Sequence, residues 1–208
     1  MKNCQRLLPI CALVLGVLAL AGAARDVSAQ NILENPGFET GDLTGWLVFG
    51  ESPNSSAVVQ VGDNGPSAPG THNAFLDNRA EAVGLVLKQS TIPGTAAGGD
   101  VEYSFDLKLD QADAGGVVFA QVFAEAEGLG IVGGSGLLGP LWAWQWTTYA
   151  GSFTAPANTN FLTIQITATT GATTGSTCVL HVDNVSLEQP GVIPAETTTW
   201  SALNALYR

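Results

Sequence analysis

The sequence predicts an all-β domain that is built as a sandwich or a barrel. Segments with alternating apolar and polar residues recur along the chain, which is rich in Gly, Thr, Val and Ser. Clusters of turn-forming residues separate these segments at short intervals. No stretch between residues 30 and 188 has the apolar period of an amphipathic helix. Many short strands divided by turns are therefore expected.

The clearest predicted strand covers residues 101–110. Its apolar side chains, at positions 101, 103, 105, 107 and 109, alternate with polar ones. One face of this strand is therefore expected to be buried and the other solvated. The other predicted strands have a similar composition and similar flanking turns, and cover residues 45–50, 57–61, 73–78, 83–89, 117–126, 142–154, 161–169 and 177–188. The total is about nine strands, and the Gly-rich segment 128–139 is predicted to be a turn.

The last predicted strand contains a phase change. Cys178, Leu180 and Val182 alternate on one face, whereas Val185 and Leu187 are out of phase with them. One extra residue at positions 183–184 would restore the phase, which predicts a β-bulge there. The alternative is a regular strand with an irregular end.

Residues 1–29 have the features of a secretory signal peptide. Lys2 and Arg6 precede an almost wholly apolar segment, and the small residues at positions 27–29 form a cleavage site. An uncleaved membrane anchor is the alternative. Cleavage after Ala29 leaves 179 residues, which suits one domain with a sizeable core. We expect a protein that is secreted or lies at the cell surface, with no membrane span after cleavage.

The mature chain is predicted to be strongly acidic. Cleavage removes three of the seven basic residues and one of the eighteen acidic residues, so the net charge changes from −11 to −13. This charge repels nucleic acids and anionic membranes and can favour divalent cations. Cys178 is the only cysteine left, so no internal disulfide can form. We expect it to pack as a small apolar residue rather than to react.

The chain changes character after residue 188. Segment 189–196 contains two prolines and a glycine and is predicted to be a linker. Segment 197–208 could form a short helix with Trp200, Leu203 and Tyr207 on one face. The predicted organisation is a signal peptide over residues 1–29, a β-sandwich over 30–188, and a linker with a C-terminal tail over 189–208.

Two motifs at the ends of the domain carry a family resemblance. Residues 35–41 read Asn-Pro-Gly-Phe-Glu-Thr-Gly and are followed by Trp46, and residues 182–187 read Val-Asp-Asn-Val-Ser-Leu. Together they resemble the CenC-type carbohydrate-binding modules, which belong to the galactose-binding-like sandwiches. The resemblance covers residues 31–188 and implies a jelly-roll β-sandwich. It also implies a polysaccharide or a cell-surface glycan as the partner.

The same resemblance implies a structural calcium site. The carboxylate ligands of the family's calcium site correspond to Glu39, in the first motif, and Asp183, in the second. Backbone carbonyls near Gly37 and Asn73 would complete the site. Calcium prefers several oxygen ligands, which distant strands of a sandwich can supply. The rival interpretation gives Glu39 a turn-capping role and Asp183 a backbone hydrogen bond.

Residues 142–146 read Trp-Ala-Trp-Gln-Trp, the sharpest local pattern in the interior of the chain. In a strand, alternation would place the three indoles on one face. Trp142 and Trp144 are the candidate ligand-binding residues, because aromatic rings stack on the apolar faces of sugars. Core packing is the alternative and is favoured for Trp146. The polar face of the 101–110 strand, with Gln121 and Gln165 nearby, is either a sugar-binding groove or a solvated sheet face.

The sequence contains no signature of catalysis. We find no Gly-x-Ser-x-Gly elbow, no phosphate-binding loop and no zinc-type cluster, so the protein is not expected to be an enzyme. A pair of carboxylates for glycoside hydrolysis stays open, although nothing singles one out. The leading hypothesis is an exported, non-catalytic carbohydrate-binding protein with a structural calcium. The alternative is a bacterial surface or matrix protein that uses the same sandwich for structure or adhesion without sugar binding, which the lack of an attached catalytic domain would favour.

Overall fold

The structure, a computed structural model, describes residues 30–62 and 64–190. The predicted signal peptide and the segment from residue 191 onward lie outside these residues. The described chain forms eleven strands: β1 (Leu47–Phe49), β2 (Ser55–Val61), β3 (His72–Asn78), β4 (Gly84–Ser90), β5 (Gly99–Asp113), β6 (Val117–Ala126), β7 (Gly130–Gly134), β8 (Leu138–Leu141), β9 (Thr147–Ala155), β10 (Phe161–Thr169) and β11 (Thr177–Glu188).

The strands form two antiparallel sheets that pack face to face. The six-stranded sheet has the order β1-β4-β10-β6-β7, and β8 also pairs with β6. The five-stranded sheet has the order β2-β3-β11-β5-β9. This architecture confirms the predicted jelly-roll β-sandwich. The part of the chain that the structure describes contains no helix with the length and hydrophobicity to cross a bilayer.

The core fills the space between the inward faces of the two sheets. Leu87, Ile164 and Val122 from one sheet and Leu76 and Leu180 from the other are fully buried. These side chains occupy every second position of their strands, as expected where one face of each sheet is covered. Burial of these apolar surfaces is the main stabilising contribution to the fold.

Residues 31–46, which precede β1 and are called the N-terminal segment here, lie beside the end of β11. The Ile32 amide donates to the carbonyl of Leu187 at 2.9 Å, and the Val185 amide donates to the carbonyl of Pro36 at 2.9 Å. The two motifs at the ends of the domain are thereby brought together. Trp46 is buried in this region and its indole N–H donates to the carbonyl of Asn35 at 3.1 Å.

The predicted β-bulge in the last strand is confirmed. The register between β11 and β5 shifts between Asp183 and Ser186. Asn184 has a φ of 48°, a left-handed conformation that asparagine tolerates better than most residues. The bulge therefore interrupts the strand at one residue and leaves Asp183 opposite Asp106 of β5.

Two strands were missed by the sequence analysis. The predicted turn 128–139 contains β7 and the start of β8, both of which pair only with β6. Their glycines disfavour strands, and β7 contains only two residues of high β-propensity. Backbone hydrogen bonds to the long strand β6 nevertheless hold both segments in the extended conformation, against their low strand propensity.

The predicted strand over residues 142–154 is wrong in its first part, because β9 begins only at Thr147. Residues 142–146 instead form an irregular connection from β8 in one sheet to β9 in the other. The connection is attached to β5 through its second residue, since the Leu109 amide donates to the carbonyl of Ala143 at 2.6 Å. A crossing between sheets cannot continue the hydrogen bonding of either sheet, and this explains why the strand does not extend to Trp142.

Candidate functional site

Acidic side chains converge on the bulge of β11, on the outward face of the five-stranded sheet. Asp183 lies in the bulge, Asp106 lies opposite it in β5, and Glu39 comes from the N-terminal segment. The described residues of the loop 62–71, which connects β2 and β3, cover this face. We call these three carboxylates and the loop the carboxylate cluster.

Asp183 is a buried carboxylate, and the hydrogen bonds that it accepts from described residues come from backbone amides. The Gly65 amide donates to Oδ2 at 2.9 Å, and the Asn184 amide donates to Oδ1 at 2.7 Å. Burial raises the pKa of Asp183 to about 6, although the two amides act in the opposite direction. The negative charges of Asp106 and Glu39 add to the increase.

The pKa of Glu39 is lowered, whereas that of Asp183 is raised. The amides of Thr71 and His72 donate to Oε1 at 2.8 and 2.9 Å, and the Thr71 hydroxyl donates to Oε2 at 3.1 Å. Desolvation acts to raise the pKa of Glu39, but these bonds, together with one to the His72 ring, lower it to about 2. Glu39 therefore caps the turn that leads into β3, as the rival interpretation expects.

Asp106 is the member of the cluster that the sequence analysis missed. The alternation of β5 predicts that this side chain lies on a solvated face, whereas the loop 62–71 buries it completely. Four donors approach its carboxylate: the amide and hydroxyl of Ser67 at 2.8 and 2.5 Å, the Thr148 hydroxyl at 2.5 Å and the Asn184 side-chain amide at 2.8 Å. Burial acts to raise its pKa, but the hydrogen bonds outweigh burial and lower it. No local sequence pattern identifies a residue that a distant loop covers.

Two features of the loop 62–71 bear on whether a cation fits this site. Asn64 Oδ1 is buried and has no hydrogen-bond partner among the described residues. A Cβ at Gly70 would lie 2.5 Å from Glu39 Oε1, and one at Gly65 would lie 2.5 Å from Asp106 Oδ2. The loop backbone thus approaches the carboxylates as closely as only glycine permits. The cluster offers carboxylate oxygens and one unsatisfied amide oxygen, the ligand types that calcium prefers.

Gly37 and Asn73, the other predicted metal residues, lie differently with respect to the cluster. A Cβ at Gly37 would be 3.7 Å from Asp183 Oδ1 and 3.8 Å from the Glu39 side chain, so its backbone is adjacent to both carboxylates. The buried Asn73 directs Oδ1 to the ring of His181 at 2.7 Å and donates from Nδ2 to the carbonyl of Gly62 at 2.6 Å. Within residues 30–62 and 64–190, no three His, Cys, Asp or Glu side chains form a metal-binding group by themselves. Backbone or amide oxygens would therefore have to contribute.

The structure places Trp142 and Trp144 together on the surface. Their side chains are 51% and 57% exposed, and their ring centroids lie 6.4 Å apart with an interplanar angle of 32°. Ala143 between them is buried, which turns its two neighbours outward. The Tyr149 hydroxyl donates to the carbonyl of Trp142 at 3.2 Å. The two indoles form an exposed aromatic surface, which we call the tryptophan pair.

Trp146 has a different environment from the tryptophan pair. It is partly buried and its ring centroid lies 6.1 Å from that of His181. Gln121 and Gln165, which were expected near the polar face of β5, are in fact register partners on β6 and β10 of the other sheet. The alternative of a sugar-binding groove that combines these two residues with the β5 face is therefore wrong.

Comparison with protein families gives no match, and comparison with curated protein sequences gives none either. Solved structures do share the fold. They include tailspike protein 4 of bacteriophage CBA120, with a TM-score of 0.61 and 12% identity over 76% of this chain. The CBM22-1–GH10 modules of xylanase 10B from Clostridium thermocellum, complexed with xylohexaose, match at a TM-score of 0.52 and 18% identity over 78% of the chain.

A further similar structure comes from a study of carbohydrate-binding modules of the β-sandwich superfamily, with a TM-score of 0.53 and 15% identity over 78% of this chain. The matched regions span 21%, 29% and 62% of those three chains. At these identities the similarity establishes the fold. The fold is therefore one that carbohydrate-binding modules use.

Proposed function

We propose that this protein is a non-catalytic carbohydrate-binding module that binds a polysaccharide or a cell-surface glycan. The observation that carries the proposal is the tryptophan pair, two adjacent indoles exposed on a fold that carbohydrate-binding modules share. Exposed Trp side chains are unfavourable in water, and burial against the apolar faces of pyranose rings would remove this cost. Each indole also keeps its N–H for a sugar hydroxyl.

The test is retention of the purified protein on a panel of polysaccharides. We expect the wild type to bind one of them, and the double variant Trp142→Ala, Trp144→Ala to lose about tenfold or more in affinity, as for the aromatic anchors of other interfaces. Phe49→Ala is the matched control, because it removes an exposed aromatic ring from the edge strand β1 of the six-stranded sheet. A melting curve for each variant separates lost binding from lost folding.

Failure of the wild type to bind any glycan would favour the alternative, a surface or matrix protein that uses the sandwich for structure or adhesion. Binding that survives in the double variant would place the glycan elsewhere on the domain. Export is part of the proposal, because a glycan-binding role outside the cell agrees with the signal-peptide pattern of residues 1–29.

A structural calcium at the carboxylate cluster is the second part of the proposal. Asp183, Glu39 and Asn64 would supply side-chain oxygens, and the backbone of Gly37, which lies beside Asp183 and Glu39, would supply a carbonyl oxygen. A bound divalent cation would offset the mutual repulsion of the three carboxylates. We expect EDTA to lower the melting temperature, and Asp183→Ala to abolish the response to calcium. A wild-type melting temperature that ignores both EDTA and calcium would exclude the site.

A further inference from the structure

A polar groove runs along the outward face of the five-stranded sheet, beyond the bulge. Two adjoining cavities of about 720 and 340 Å³ share Ser104, Ser186 and Glu188 in their lining. Each has a volume within the range of sites that hold small molecules. We call this continuous depression the serine groove. The tryptophan pair does not line it.

The floor of the serine groove consists of short side chains on three neighbouring strands. Ser186 of β11 lies opposite Ser104 of β5, and Ser104 lies opposite Ala150 of β9. An exposed sheet face normally has β-branched or aromatic residues, because these suit the pleated surface. Ser and Ala are weak strand formers with short side chains, so this face is less favourable for strand formation and leaves a depression.

Carboxylates lie at one end of the floor. Glu188 and Glu102 are register partners on β11 and β5, and Ser152 of β9 lies opposite Glu102. Ser186 donates to Glu188 Oε1 at 2.9 Å, whereas Glu102 makes no hydrogen bond or ion pair with any described residue. The unpaired polar atoms of the floor are therefore serine hydroxyls and carboxylate oxygens. Such a surface matches a ligand with many hydroxyl donors.

The charge of the serine groove restricts the ligand further. None of the described residues that line it is Lys, Arg or His. Glu102 and Glu188 line it without a cationic partner among the described residues, so an anionic ligand would be repelled. Pro36 and Pro69, which are half-buried and exposed, supply apolar surface that can contact the C–H groups of a sugar ring. An uncharged glycan meets both requirements.

We infer that the serine groove binds a chain of uncharged pyranose rings and excludes glycans that contain uronic acids. The inference rests on the proposed function, because it assigns a glycan class and a second contact surface to the same protein. The hydroxyls of Ser104 and Ser152 and the carboxylate of Glu102 would accept hydrogen bonds from sugar hydroxyls. Aromatic stacking at the tryptophan pair and hydrogen bonding in the serine groove are then separate contributions to binding.

The test is calorimetric titration of the full chain with xylo-, cello- and manno-hexaoses and with hexagalacturonate. The groove variants are Ser104→Val and Ser152→Val, which fill the depression with residues that suit a strand, and Glu102→Ala. Their matched controls are Ser56→Val, on an exposed position of the same sheet, and Glu81→Ala, on an exposed loop. Unchanged melting temperatures establish that each variant is folded.

We expect one neutral hexaose to bind, hexagalacturonate not to bind, and the groove variants to lose tenfold or more in affinity while the controls keep it. Groove variants that bind like the wild type, beside tryptophan variants that do not, would overturn the inference and leave the proposed function standing. Binding of hexagalacturonate that the groove variants abolish would also overturn it. A wild type that binds no glycan at all would overturn the proposed function and the inference together.

Discussion

At the scale of single residues, Asp106 links three elements that are distant in sequence. Its carboxylate accepts hydrogen bonds from Ser67 in the loop 62–71, Thr148 in β9 and Asn184 in the bulge of β11. A buried carboxylate is stable only when donors compensate for the lost hydration, and here four donors do so. Asp106 therefore holds the loop on the sheet and orients the residue that follows Asp183.

Replacement of Asp106 should be strongly destabilising. In Asp106→Ala the donors of Ser67, Thr148 and Asn184 lose their acceptor inside a buried site, which should lower the free energy of unfolding by about 3 kcal/mol or more. Asp100→Ala is the control, because this exposed residue on the same strand should change the stability by less than about 0.5 kcal/mol. Urea denaturation of both variants measures the difference. Equal stabilities would show that Asp106 does not hold the loop.

The Cys178 thiol should be unreactive in the native protein. The thiol is fully buried, and burial raises its pKa to about 12, against the smaller opposite effect of hydrogen bonds to the backbone of Thr169 and Val117. Only the thiolate is a strong nucleophile, so the native protein should not react with a thiol reagent at pH 8. The same protein in concentrated guanidinium should react fully, and Cys178→Ala should remove that signal. Rapid reaction in native buffer would contradict the buried position.

At the scale of elements, the turn between β1 and β2 requires a glycine for two reasons. Gly50 has a φ of 84°, and a Cβ there would lie 2.2 Å from the carbonyl oxygen of Gly84. Gly94 has almost the same φ, 85°, but a Cβ there would meet nothing within 4 Å. Comparison of alanine substitutions at Gly50 and Gly94 therefore separates the free-energy cost of the left-handed backbone from that of a steric clash.

Alanine substitutions at these two glycines should differ in effect. Gly94→Ala should lower the free energy of unfolding by about 1–2 kcal/mol, the cost of a left-handed conformation for an L-residue. Gly50→Ala should cost more, because β1 must also move away from β4 to avoid the clash. Thermal unfolding of the two variants gives the comparison. An equal loss of stability in both variants would mean that the turn at Gly50 can move to avoid the clash at no cost in free energy.

At the scale of the whole molecule, the acidic chain brings three carboxylates together in the carboxylate cluster on one sheet. Burial raises the pKa of Asp183 to about 6 from the ordinary value of 3.8. Stability from a group with a raised pKa is present below the unfolded value and is lost as the pH rises through the folded value. Ionisation of Asp183 above pH 6 therefore costs stability unless a cation is bound.

Calcium should accordingly stabilise the protein more at pH 7.5 than at pH 5. A cation binds the ionised form of Asp183 and competes with its proton, whereas the pKa of about 2 keeps Glu39 ionised at both values. At saturating calcium we expect an increase in melting temperature of about 5–10 °C at pH 7.5, and a smaller one at pH 5. Asp183→Asn should show no calcium response at either pH. An equal shift at both values would mean that calcium binds elsewhere.

The sequence by itself determined the fold class, most of the strands and the bulge. β6, β10 and β11 have the predicted bounds, because alternation and turn residues act within a few positions along the chain. The bulge was predictable since the change of phase at positions 183–184 is local as well. The approach of the two end motifs follows from the predicted sandwich, which commonly brings its first and last strands together, rather than from a local residue pattern.

The tertiary structure alone decided the burial of Asp106, the exposure of Trp142 and Trp144, and the existence of β7 and β8. The loop 62–71 reaches Asp183 across 118 positions of sequence, and no local pattern records such a contact. Alternation predicted a shared face for the tryptophans, but the crossing between sheets, attached through Ala143, is what exposes them. Local hydrophobic patterns determine which residues form strands, whereas contacts between distant segments determine which polar and aromatic groups meet at a site.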